Sequence, residues 1–202
     1  MDHAPFSISD SIKKGWELTK ANLGFLILYQ LILFLITLFL SISSNHFFLH
    51  LLLWVVVVLV KIGFFNSALL ITQSIKPGFD QLYSNWRMFL SWVIANFLFG
   101  LMVVIGLALL IFPGCYLAAR YGFFPFFILD KQIGPIESLK EAARASTGIR
   151  WPIFLFFLAC IGLNILGLLL FGVGFLISEP VTLLAFATIY WQIKPKTVVE
   201  SQ

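Results

Sequence analysis

Two cationic side chains stand inside long apolar stretches of this sequence, where charge is costly. Lys61 lies in the stretch 47–73 and Arg120 in the stretch 115–129. If these stretches cross a bilayer, each cation costs about 2.5–3.5 kcal/mol on insertion scales and needs either a partner or a function. Two interpretations are open. The cations bind an anionic lipid phosphate or an acidic substrate, or they are structural and pair with Glu179 or extend toward the headgroups.

Two histidines offer a second kind of chemistry, because His46 and His50 are four residues apart and would share one face of a helix. A zinc site needs three or four ligands, and Glu179 is the acid that the predicted topology places on the same side of the membrane. The alternative is a pair of histidines in a polar turn at the membrane surface, and this is the one we expect. We therefore predict no metal and no cofactor.

The sequence has none of the local motifs of catalysis, such as a Gly-rich phosphate loop or a nucleophile with its base. Its two cysteines, Cys115 and Cys160, are far apart and give neither a disulfide framework nor the spacing of metal ligands. We therefore expect a protein that is not an enzyme.

The composition indicates that lipid is the solvent of this chain. Of its 202 residues 60% are hydrophobic and 11% are charged, and the mean hydropathy is +1.00. Soluble domains are about 45–50% apolar and about 25% charged. The net charge of +4 does not indicate nucleic acid here, because cations orient membrane helices and lie beside anionic headgroups.

Six apolar stretches predict an all-α, polytopic membrane bundle. Helices are expected because a helix satisfies all of its backbone hydrogen bonds internally, as lipid requires. The strands of a membrane barrel alternate between apolar and polar residues, and these continuous apolar stretches do not. Spans four and six are short, so a re-entrant course is the alternative for those two. The predicted spans are residues 23–43, 47–73, 88–112, 115–129, 151–176 and 180–192.

The distribution of cations predicts the orientation of the bundle. With six crossings, the loops around residues 44–48, 113–114 and 176–179 share one side and contain no Lys or Arg. Apart from Lys61 and Arg120, which lie within spans, every Lys and Arg falls on the opposite side. The positive-inside rule identifies that side as cytoplasmic. We therefore predict that both termini are cytoplasmic.

Three amphipathic segments on the predicted cytoplasmic side have helical periodicity and flanking cations, as helices in the headgroup plane do. Trp16, Trp86 and Trp151 are the expected interfacial anchors, since tryptophan prefers that depth. The three apolar stripes are Ile8, Ile12 and Trp16, then Phe79, Leu82 and Trp86, and finally Ile136, Leu139 and Ala143.

The spans also contain an internal similarity. Residues 61–66 read Lys-Ile-Gly-Phe-Phe-Asn, and residues 120–125, 59 positions later, read Arg-Tyr-Gly-Phe-Phe-Pro. A further step of 59 reaches Glu179. Such self-similarity predicts stacked copies of one unit, here an interfacial helix followed by a helical hairpin. The proposed repeats within one domain of residues 1–202 are 7–76, 78–132 and 134–194.

The segment 113–150 resembles a known family. It reads Pro-Gly-x5-Arg-Tyr, then a Pro-containing apolar stretch ending in Asp130, then Gly-Pro-Ile-Glu-Ser-Leu-Lys-Glu-Ala. This pattern is similar to that of uncharacterised bacterial inner-membrane proteins of the YciC type, and to the membrane domain of some glycerophosphodiester phosphodiesterases. The Trp-x-Leu element of those relatives looks like Trp16-Glu17-Leu18. The resemblance implies a multi-pass protein of the bacterial inner membrane and no particular reaction.

The leading hypothesis is a non-enzymatic inner-membrane protein with a role in membrane organisation or lipid interaction. Its expected partners are membrane lipids, anionic ones in particular, and either a second copy of the chain or a membrane complex. One alternative is a small transporter or lipid-translocating protein with an anion site at Lys61 and Arg120. The other is an accessory subunit of a membrane complex.

Overall fold

The computed structural model describes residues 6–42, 47–78, 85–109, 111–169 and 174–195. Within these ranges the chain is helical and contains no strand, so the predicted all-α class is confirmed. A 3₁₀ turn, Trp86–Met88, precedes the fourth helix. The helices are α1 Ile8–Ala21, α2 Leu23–Ile42, α3 Phe47–Thr72, α4 Phe89–Leu109, α5 Ile111–Tyr121, α6 Phe124–Lys131, α7 Pro135–Ala145, α8 Arg150–Leu169 and α9 Phe175–Ile193.

Five of the described helices are long and apolar enough to cross a membrane, namely α2, α3, α4, α8 and α9. These helices support the prediction of a multi-pass membrane protein. The fourth predicted span, residues 115–129, is instead divided between α5 and α6, which have 11 and 8 residues. At a rise of about 1.5 Å per residue neither can cross a core of about 30 Å alone.

The prolines near this broken span lie in helices rather than between them. Pro113-Gly114, predicted as a loop, falls inside α5, and Pro125 occupies the first turn of α6. Both positions suit proline, because amides in a first turn have no partner within the helix. The chain turns at Gly122 and Phe123, where Gly122 packs against the ring of Phe157 and leaves no room for a side chain.

Helix α9 forms the centre of the bundle. Buried residues make up 67% of its span, against 11–22% in the other four candidate spans. The predicted external loop 176–179 is wrong, since these residues belong to α9, which begins at Phe175 and contains Pro180. Pro180 is the sixth residue of α9 and lies past its first turn, so it removes the hydrogen bond to the carbonyl of Leu176, yet the helix continues through it.

Polar side chains join α9 to its neighbours. Asn164 of α8 accepts a hydrogen bond from the hydroxyl of Ser178 at 2.9 Å. The indole of Trp191 donates to the hydroxyl of Thr72 on α3 at 3.0 Å. Hydrogen bonds of this kind hold membrane helices together where lipid provides no hydrophobic drive.

The amphipathic helix α1 packs on α9 through a face of small residues. Ser11, Gly15 and Thr19 are buried, whereas the predicted stripe is half-buried at Ile8 and Ile12 and exposed at Trp16. The buried face therefore lies beside the apolar stripe and not on it. Small residues at every fourth position let two backbones approach closely, which is how membrane helices pack.

The other interfacial segments are described in part. Residues 79–84 of the second segment lie outside the described residues, and Trp86 beyond them is exposed with Arg87 over its ring. In α7 the stripe is exposed at Ile136 and buried at Leu139 and Ala143. The depth of these tryptophans relative to a membrane stays a prediction.

The similar stretches 61–66 and 120–125 differ in backbone conformation. The first lies inside the continuous helix α3, while the second contains the turn between α5 and α6. The three-repeat architecture therefore stays a prediction.

The buried apolar side chains form one cluster, to which each helix from α2 to α9 contributes. Examples, one from each of these helices, are Leu26, Phe64, Trp92, Ala119, Phe126, Leu139, Phe156 and Leu184.

Candidate functional site

The two opposite charges predicted to share a register, Lys61 and Glu179, line a common space inside the bundle. Lys61 lies near the middle of α3 and Glu179 in the early part of α9. The space, here called the central cavity, has two lobes of about 400 and 560 Å³ that share Leu33, Lys61 and Glu179.

Helix α2 is fixed against α3 beside this cavity. The hydroxyl of Tyr29 donates to the backbone carbonyl of Val60 at 2.7 Å, and the Tyr29 ring stacks on Phe64 with centroids 5.0 Å apart. Because Gln30 follows Tyr29 and Lys61 follows Val60, this contact sets both polar side chains at the same level of the two helices. Gln30 thereby reaches Glu179.

The hydrogen bonding of Gln30 is incomplete. Its side-chain Nε2 donates to Oε2 of Glu179, while its Oε1 is buried and has no partner. Gln30 is only 6% exposed. A buried acceptor without a partner costs about 1–3 kcal/mol.

Lys61 is exposed to the cavity and not locked in a contact. Both Lys61 and Glu179 are described, and no ion pair within 4.0 Å joins them, although their charges act on each other. The ammonium group is therefore available to a molecule that enters the lobes.

The lobes differ in their walls. The 400 Å³ lobe is aromatic, and the 560 Å³ lobe is lined by Gln30, Thr37 and mostly apolar side chains of α2, α8 and α9. Several of the latter, including Leu31, Phe34 and Leu168, are exposed on the outside of the bundle. The second lobe therefore opens beside the lipid-facing surface. The aromatic side chains of the first lobe include Phe65, Trp92, Phe99, Phe124, Phe157 and Phe186.

Arg120 lies in a different space, a groove of about 590 Å³ between α4, the end of α5, and α7. Arg120 shares the groove with two further cations, Lys140 and Arg144, and none of the described side chains that line it is acidic. We call it the basic groove. Its remaining side chains are mostly apolar and include Leu98, Leu101, Met102, Ile136 and Leu139.

The Arg120 guanidinium is held in place with an unused donor. It lies over the ring of Tyr121, 5.3 Å from the centroid, and its Nε is buried without a hydrogen-bond partner. Its backbone carbonyl, freed by the end of α5, accepts a hydrogen bond from the hydroxyl of buried Ser146 at 2.8 Å. This bond ties the end of α7 to Arg120 and so keeps the groove in shape.

Ion pairs fix the ends of α6, α7 and α9 next to the groove. Lys131 and Arg144 contact the two oxygens of Glu141 at 2.6 and 2.9 Å, and Lys194 contacts Asp130 at 2.7 Å. The hydrogen bond from Lys131 is the main cause that holds the pKa of Glu141 below its ordinary value. The Arg144 side chain is 75% exposed, so its pair is weak and the guanidinium can turn to an anion in the groove.

No family model, curated protein or solved structure matches this chain.

The proposed metal ligands are not brought together in the described part of the chain. His50 is exposed in the first turn of α3 and Glu179 lines the central cavity. His46 lies outside the described residues. Among those described, no three His, Cys, Asp or Glu side chains are placed to share an ion.

The structure brings Lys61 and Glu179 to one cavity and places Arg120 in another space. Sequence reasoning missed the partners of Arg120 in the basic groove, Lys140 and Arg144. They are four residues apart on α7, a spacing that puts both on one face of the helix. That spacing indicates that Lys140 and Arg144 act together. It does not indicate which span the two side chains face, because that depends on the turn at Gly122.

Proposed function

We propose that this chain is a non-enzymatic, multi-pass membrane protein that binds an anionic phospholipid in the basic groove. One observation carries the proposal: Arg120, whose Nε is buried without a partner, lines a groove that holds three cations and no acid among its described lining residues. A phosphate is the natural partner of such a group, because guanidinium donors match its oxygens and bind it through charge-assisted hydrogen bonds.

The shape of the groove fits the remainder of a phospholipid. Leu98, Leu101 and Met102 of α4 line the same groove and form an apolar wall that an acyl chain can follow. Lys140 and Arg144 on α7 add attraction, since a cation near an anionic surface contributes about 1 kcal/mol. The groove therefore offers a headgroup site and an acyl-chain site next to each other.

The proposal includes the orientation of the protein in the membrane. We propose six crossings of the bacterial inner membrane, with α5 and α6 together as the fourth, and with both termini cytoplasmic. The positive-inside rule supports this orientation. The basic groove then faces the inner leaflet.

Cysteine labelling is expected to show this topology. In a background without Cys115 and Cys160, a cysteine at Lys76 or Gln202 should react with a membrane-impermeant maleimide only after the membrane is opened. A cysteine at Ser44 should react in intact spheroplasts. Reaction of the Lys76 position from outside would contradict the six-crossing topology.

The lipid proposal predicts that Arg120→Gln lowers the amount of retained phosphatidylglycerol about tenfold. The loss of one charge-assisted hydrogen bond costs about 1.5–3 kcal/mol, and about 1.4 kcal/mol already corresponds to a factor of ten. The measurement is native mass spectrometry of the purified protein titrated with phosphatidylglycerol.

Arg87→Gln is the matched control, because Arg87 also lies over an aromatic neighbour, Trp86, but is exposed and outside the groove. It should leave lipid retention unchanged. Equal losses in the two variants, or no loss in either, would show that the groove is not the binding site.

A second candidate function, transport or lipid translocation, is favoured by the central cavity. Charged residues inside spans line substrate paths in many membrane proteins. The path would use Lys61 with Glu179 and Gln30, while Arg120 belongs to the groove.

A further inference from the structure

The larger lobe of the central cavity combines one positive and one negative side chain. Lys61 and Glu179 both line it, and their formal charges cancel. A ligand with net charge would leave an unbalanced charge in a region of low dielectric, which is costly. The balance of the lobe therefore favours a molecule that itself carries both charges.

Gln30 indicates which chemical group the positive end of that molecule carries. The buried Oε1 atom accepts no hydrogen bond, and the neighbouring Glu179 carboxylate is acceptor-only when ionised. A single group with more than one N–H can satisfy two acceptors side by side. A primary ammonium group has three N–H donors, whereas a quaternary ammonium has none.

We propose that this lobe binds a zwitterion whose primary ammonium contacts Glu179 and Gln30 and whose anionic group contacts Lys61. The zwitterion is the headgroup of phosphatidylethanolamine. The lobe is bordered by Leu31, Phe34 and Leu168, which are exposed on the apolar outside of the bundle. A ligand with acyl chains can therefore enter from the membrane and leave its chains there.

The site discriminates between the two common zwitterionic lipids by hydrogen bonding. Phosphatidylcholine carries the same phosphate for Lys61 but has no N–H for Gln30 Oε1. Binding it would keep that acceptor unsatisfied, and one such loss corresponds to a factor of about ten or more. The site is distinct from the basic groove, and its ligand has no net charge.

The test is competition between phosphatidylethanolamine and phosphatidylcholine with identical acyl chains, read by native mass spectrometry of the full-length protein. Wild type should retain the ethanolamine lipid about tenfold better. Gln30→Leu should bring the ratio close to one, and Lys61→Met should weaken retention of both lipids. Gln73→Leu, at an exposed glutamine directly after the end of α3, should change nothing.

Equal retention of the two lipids by wild type would overturn the proposal, and that result does not depend on the folding of any variant. Displacement of the lipid by an equal concentration of soluble phosphoethanolamine would overturn the lipid source and assign the lobe to free zwitterions. Arg120→Gln should leave the ratio unchanged. A ratio that follows Arg120 instead of Gln30 would place the selectivity in the groove and would also overturn the proposal.

Discussion

Replacing Gly15 by alanine is expected to destabilise the protein by about 1–3 kcal/mol, the usual cost of overpacking. A Cβ at this position would lie 2.5 Å from the carbonyl oxygen of Val181 and 2.9 Å from the amide nitrogen of Ala185. Both atoms belong to the backbone of α9, so neither can rotate away. Helix propensity alone predicts the opposite sign, because alanine favours a helix over glycine by about 1 kcal/mol.

Thermal unfolding in detergent measures this effect, with Gly24→Ala as the matched control. Gly24 is also helical, and a Cβ there would meet nothing within 4 Å. The control should therefore be neutral or stabilising. If both alanines stabilise the protein, α1 does not pack closely on α9.

Replacing Glu179 by glutamine is expected to lower the stability of the lipid-free protein by about 1–3 kcal/mol. The substitution removes the negative charge that faces Lys61 and leaves a cation inside the spans without compensation. Lys61→Met should then be partly rescuing in the Glu179→Gln background, because it removes the orphaned charge. The coupling energy between the two substitutions should be about 0.5–3 kcal/mol, the range typical of interacting residues.

A double-mutant cycle on thermal stability measures this coupling. The matched third site is Arg120→Gln, since Arg120 lines the basic groove and not the central cavity. It should be additive with Glu179→Gln. Additivity of the Lys61 and Glu179 substitutions would instead mean that the two charges have no common role.

The long spans could be predicted from the sequence because apolar stretches in lipid have only the helix as a solution. The predicted start at residue 23 and the predicted stretch 47–73 match α2 and α3 closely. The boundaries failed at prolines. Pro113 and Pro180 were interpreted as ends of helices, yet each lies inside one. Pro113 is in the first turn of α5, where a missing amide costs little, whereas α9 continues through Pro180 despite the hydrogen bond that the proline removes.

The packing of α1 could not be predicted from hydrophobic periodicity. Periodicity identifies apolar side chains, and in a soluble protein those form the buried face. In a membrane the surroundings are apolar as well, so close packing depends on small residues. Ser11, Gly15 and Thr19 recur every four positions and are the face that α1 buries.

The two candidate sites differ in how far the sequence could define them. The 59-residue register connected Lys61 with Glu179, and both line the central cavity. Lys140 and Arg144 had no such signal, because α7 reaches Arg120 only through the turn between α5 and α6 and the hydrogen bond of Ser146. Tertiary contacts of this kind cannot be predicted from the local pattern of residues in the sequence.

Photocrosslinking with phosphatidylglycerol that carries a diazirine on its acyl chain tests whether this lipid occupies the basic groove. The lipid is incorporated into the bilayer around the protein, and crosslinked peptides are identified by mass spectrometry. The account predicts crosslinks concentrated on Leu98, Leu101 and Met102 and on the facing side of α7, with a loss of about tenfold in Arg120→Gln. Crosslinks distributed evenly over exposed apolar side chains such as Phe34 and Leu38 of α2, and unchanged in the variant, would contradict it.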